Sequence, residues 1–95
     1  MYNIFLVRGY KVFGLVIVHK DIENPEELIK RFLDKKYSDD LCRSNFCLVK
    51  CITVDLIGET NEIPTLNSSG YCGQFNSYII DGKDIYYNIQ IWSRN

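Results

Sequence analysis

The sequence predicts an α+β fold: a small antiparallel sheet with one amphipathic helix packed on one face, in the order β-β-α-β-β-β. Three observations predict it. Asp81-Gly82 separates two β-prone runs, which is among the strongest short-range hairpin signals. Asn24-Pro25-Glu26-Glu27 opens a segment of helical periodicity. The other apolar runs follow one another through turn-forming links, without the strand–helix alternation of a doubly wound protein.

The first strand is the apolar, β-branched run from Asn3 to Val7, and Arg8-Gly9-Tyr10-Lys11 interrupts it with a tight turn at Gly9. Val12 to Val18 follows as a second strand. It is apolar on both faces, as a central strand is. Gly14 within it marks a bulge or a place where another chain or helix packs closely.

At the helix start Asn24 caps, Pro25 takes the first helical position, and Glu27 occupies the capping-box place. Leu28, Ile29, Phe32 and Leu33 then share one face. Lys35 and Lys36 suit the negative end of the helix dipole. The helix is expected to end near Tyr37, with Ser38-Asp39-Asp40 capping one further short turn through Cys42.

Phe46 to Ile57 reads as one long strand, with Phe46, Leu48, Ile52, Val54 and Leu56 on its buried side. Gly58 to Gly70 is a polar connection, and Tyr71 to Ile80 resumes extended structure. After the Asp81-Gly82 turn, Asp84 to Trp92 alternates strictly. Ile85, Tyr87, Ile89 and Ile91 form a core face; Tyr86, Asn88, Gln90 and Trp92 point the other way.

Ninety-five residues suit one domain, residues 1–95, and 46% apolar content fits a folded chain. Eleven basic and twelve acidic side chains leave a net charge of −1. That balance lacks the overall attraction to phosphate on which nonspecific nucleic-acid binding relies. The longest apolar stretch, Val12 to Val18, is far shorter than the roughly 20 residues of a membrane span. The N-terminus shows no signal-peptide pattern, so a cytoplasmic (or, for a viral protein, host-intracellular) location is expected.

Cys42, Cys47, Cys51 and Cys72 lack the usual metal-ligand spacings, and the single His19 is remote from them in sequence. On one strand Cys47 and Cys51 would lie about 13 Å apart, too far for a disulfide. A bridge from Cys72 to Cys47 or Cys51 stays open, but mostly reduced thiols are the simpler expectation. No metal or other cofactor is expected.

The residues with the strongest claim to a binding role are Tyr86, Asn88, Gln90 and Trp92, because aromatic rings beside uncharged amides favour contact. The competing account packs that row beneath the helix as a second, more polar core layer. An alternative site is Ser69, Cys72 and His19, with Asp55 or Asp21 orienting the histidine; it would serve a small enzyme or a nucleotide-binding domain. No nucleophile elbow, cysteine-protease signature or phosphate-binding glycine motif accompanies those residues, so catalysis is not the leading expectation. A third use of Tyr86 and Trp92 is stacking on single-stranded nucleic acid, but the basic groove that normally goes with it is not established by Lys11, Lys83 and Arg94.

The leading expectation is a small intracellular binding protein, an inhibitor or adaptor, that makes protein–protein contact through a sheet face or edge. Exposed edges also allow a homodimer. Frequent Tyr, Asn, Ile and Lys associate the composition with AT-rich genomes, including small viral and mobile-element proteins.

Overall fold

A computed structural model describes residues 1–9, 12–43, 46–47, 52–63 and 75–91. It contains strands β1 (Tyr2–Gly9) and β2 (Val12–His19), helix α1 (Pro25–Leu41), short strands β3 (Cys42–Arg43) and β4 (Phe46–Cys47), then β5 (Thr53–Thr60), β6 (Asn76–Ile80) and β7 (Lys83–Ile91). Five strands form an antiparallel sheet in the order β5-β1-β2-β7-β6, and β3 pairs with β4. A small antiparallel sheet with one helix is thus observed, and two additional short strands intervene in the expected order.

Local chemistry explains the hairpin at the end of the chain. Asp81 and Gly82 have φ of 54° and 76°, and Ile80 pairs with Lys83. Two central residues at positive φ twist the connection in the same hand as its strands, which is why Asp-Gly selects this turn. The first hairpin is longer than expected. β1 continues through Gly9, which pairs with Val12, so Gly9 is a ladder residue and not the turn.

Gly14 is likewise in the ladder, opposite Val7 and Ile89, with no bulge. Its role is the close approach. A Cβ there would meet the backbone of Asn88 and lie 2.6 Å from the Ile89 Cα. The bulge is instead on β5, where the register to β1 shifts between Ile4 and Phe5: Phe5 faces Leu56 and Ile4 faces Gly58, leaving Ile57 as the extra residue.

That bulge also corrects the expected polar connection at Gly58. Gly58, Glu59 and Thr60 remain in the strand, opposite Ile4, Asn3 and Tyr2. The expected single strand from Phe46 to Ile57 is replaced by β4 and β5, and residues 48–51 between them lie outside those described. Cys42 is the register partner of Cys47, a pairing that spacing alone did not suggest. The extended run expected from Tyr71 is described from Asn76 onward.

Helix α1 starts at Pro25, where the sequence places it, and its first backbone bond runs from Leu28 N–H to the Asn24 carbonyl at 3.0 Å. Glu27 forms an ion pair with Arg31 at 3.1 Å, one turn ahead. At Tyr37 the backbone leaves helical geometry (φ −120°, ψ 27°), and a second short helical piece continues to Leu41. Leu28, Ile29, Phe32 and Leu33 share one core with Phe5, Val7, Val12, Val16, Val18, Val54, Ile85 and Tyr87.

Candidate functional site

Alternation along β7 separates its residues into two environments. Ile85 and Tyr87 are buried in the helix-side core, and the Phe32 ring lies 5.0 Å from that of Tyr87. Tyr86, Asn88 and Gln90 therefore point to the opposite face. The apolar helix residues Leu28, Ile29, Phe32 and Leu33 share their core with Ile85 and Tyr87 and not with this row. Trp92 lies outside the described residues.

Register defines what surrounds the row. Tyr86 stands opposite Ile17, Asn88 opposite Leu15 and Gln90 opposite Phe13, while β1 places Ile4 opposite Ile17 and Leu6 opposite Leu15. Ile17 is fully buried yet lies outside the helix-side core. Phe13 is 48% exposed and so presents a large apolar ring at one end of the face.

At the other end the sheet and the start of α1 together enclose a cleft of about 710 Å³, within the range of small-ligand sites. Its aromatic wall is built from three distant parts of the chain. The ring of Tyr2, on β1, meets His19, on β2, at 5.5 Å and Tyr86, on β7, at 6.1 Å, both edge-on. Facing them are residues from the β2–α1 connection, the first turns of α1 and the β6–β7 turn.

Those facing residues make the cleft acidic. Asp21, Glu23, Glu27, Asp81 and Asp84 line it, against Arg31 and Lys83. Arg31 is already bound on two sides, by Asp81 across the cleft and by Glu27 on its own helix. The hydrogen bond and charge of Asp81 push the Arg31 guanidinium further above its ordinary range. Five carboxylates thus face two cations, which leaves the cleft a surplus of negative charge.

His19 accepts a hydrogen bond at Nδ1 from the Asp21 backbone N–H (3.2 Å), and the Asp21 carboxylate is 3.5 Å from the same nitrogen. Asp55, the other orienting acid expected for His19, instead pairs with Arg8 at 3.8 Å, farther along the sheet. Ser69 and Cys72 lie outside the described residues. The structure thus unites Tyr86 and His19, which sequence reasoning had assigned to rival sites, and adds Tyr2, which it missed. The signal for Tyr2 was weak: a lone aromatic at the first position of a strand.

A second cleft, of about 630 Å³, runs beside β5 and is floored by Phe5, Val54 and Leu56 beneath the start of α1. Leu56 and Ile57 on this edge strand are 58% and 54% exposed. Among the described residues no group of three or more metal-binding side chains occurs, and no helix is long and apolar enough to cross a membrane. No family model matches the chain, and no curated protein or solved structure gives a significant match to it.

Proposed function

We propose that this chain is a small binding protein, an inhibitor or adaptor, that contacts a protein partner through the sheet face opposite its helix. In this reading α1 covers one face, and Tyr86, Asn88 and Gln90 belong to the contact surface on the other. The cleft bounded by Tyr2, His19 and Tyr86 receives a basic side chain of the partner. The single observation that carries the reading is the union of aromatic rings with surplus carboxylates in one concavity. Rings attract a cation through their negative faces, and the carboxylates supply charge complementarity.

The β5 edge is the weaker contact. The bulge at Ile57 interrupts regular strand addition, a common way in which edges are kept from pairing. A homodimer through that edge is therefore not the favoured assembly.

Titration with short arginine- or lysine-rich peptides, followed by amide NMR, tests the reading. Saturable shifts at Tyr2, His19, Tyr86 and Asp84 are expected, with little response to an acidic peptide. Tyr86→Ala combined with Asp84→Asn should weaken binding at least about tenfold, the equivalent of roughly 1.4 kcal/mol. Equal binding by wild type and variant, or shifts confined to the β5 edge, would move the site elsewhere.

A further inference from the structure

On the helix side of the sheet, away from the cleft, the Lys36 ammonium lies over three tyrosine rings. Its Nζ is 5.6 Å from the centroid of Tyr37, 5.6 Å from that of Tyr78 and 5.7 Å from that of Tyr87. Each distance is within cation–π range, and three rings converging on one cation form an aromatic cage.

The cage is rigidly built. Tyr78 and Tyr87 come from adjacent strands as diagonal neighbours, since Tyr78 pairs with Ile85 and Tyr87 follows two residues later. Tyr37 arrives from the helix at the point where its backbone departs from helical geometry. Phe32 closes the back, with its ring 6.2 Å from Tyr37, 5.2 Å from Tyr78 and 5.0 Å from Tyr87. Lys36 itself is exposed, on a flexible stem, and stands outside the ion pairs that hold Lys30 and Arg31.

We propose that Tyr37, Tyr78 and Tyr87 form a binding site for alkylammonium groups, with Lys36 as its intramolecular and displaceable occupant. Aromatic cages of this kind suit quaternary ammonium ions, which are bulkier and less strongly hydrated than a primary ammonium. Lys36 is tethered beside the site, so it competes at high effective concentration with any external cation. The proposal is independent of the acidic cleft, which lies among different residues.

The probe is tetramethylammonium chloride, titrated against a matched series of sodium chloride while tyrosine ring resonances are followed by NMR. Lys36→Ala should show saturable shifts at Tyr37, Tyr78 and Tyr87. Wild type should require at least about tenfold more ligand, because its own lysine must leave first. Lys36→Ala combined with Tyr78→Leu should lose the response. A Lys36→Ala response no larger than that to sodium chloride, or one unchanged by Tyr78→Leu, overturns the proposal. The untouched protein supplies a further check. The Lys36 Hε protons should be displaced upfield by the rings and return toward normal as tetramethylammonium is added; protons at ordinary positions from the start also overturn it.

Discussion

Phe32 and Lys36, one helical turn apart, address the same three tyrosines: Phe32 packs ring against ring, and Lys36 places its ammonium over them. Spacing of i and i+4 puts both side chains over one surface of the sheet. Their energetic weights should differ sharply. Phe32 is fully buried, so Phe32→Ala should destabilise the fold by about 3–5 kcal/mol. Lys36→Ala should cost no more than about 1 kcal/mol, the size of an exposed cation–π contact. Urea unfolding of the two variants would separate them, and similar losses would contradict this ranking.

Gly14 permits two strands to approach at the centre of the sheet. In Gly14→Ala the new methyl would collide with the backbone of Asn88 and Ile89, which no side-chain rotation relieves. A loss of about 2–3 kcal/mol is expected from overpacking. Chemical denaturation measures it; a neutral substitution would mean the seam is looser than the structure has it.

The proton of Tyr86 links stability to pH. Burial first, then the charge of Asp84 and the neighbouring Tyr2, raise this phenol above its ordinary value of 10.0. The folded state therefore holds the proton more tightly than the unfolded chain. That contribution is complete below pH 10 and is lost as pH rises through the folded value. Melting temperatures from about pH 8 to about pH 11 should fall less steeply for Tyr86→Phe than for wild type. Parallel curves would dispose of the linkage.

Asn3 has a side-chain oxygen, Oδ1, buried with no hydrogen-bond partner among the described residues. Its neighbours across the sheet are Val18 and Glu59. Replacing a buried, unsatisfied amide with a β-branched hydrocarbon should stabilise, so Asn3→Val is expected to gain about 1 kcal/mol. Differential scanning calorimetry would show a higher Tm; a lower one would indicate that the amide has a role in the native state.

Features dictated by neighbouring residues were legible in the sequence. The turn at Asp81-Gly82 and the start of α1 each follow from a few adjacent side chains, and the helix break at Tyr37 falls where the helical pattern ends. Features made by distant pairing were not. Gly58, Glu59 and Thr60 look like loop residues, yet their partners on β1 hold them in a strand once the bulge at Ile57 has reset the register. The aromatic wall of the cleft joins positions 2, 19 and 86, and the tyrosine cage joins positions 37, 78 and 87. No local pattern reveals which rings will meet.

The strand order β5-β1-β2-β7-β6 has a kinetic consequence. Two hairpins, β1–β2 and β6–β7, close over short stretches of chain, but the seams that join them into a sheet do not. Tyr2 pairs with Thr60 and Val18 with Ile85, contacts roughly 60 residues apart that must overcome substantial loop-closure entropy before they reward it. Refolding should therefore wait on the β2–β7 seam, and a chain caught before it closes would display the open edge of β2, a strand apolar from Val12 to Val18. How quickly that edge finds β7 decides between native assembly and aggregation during synthesis.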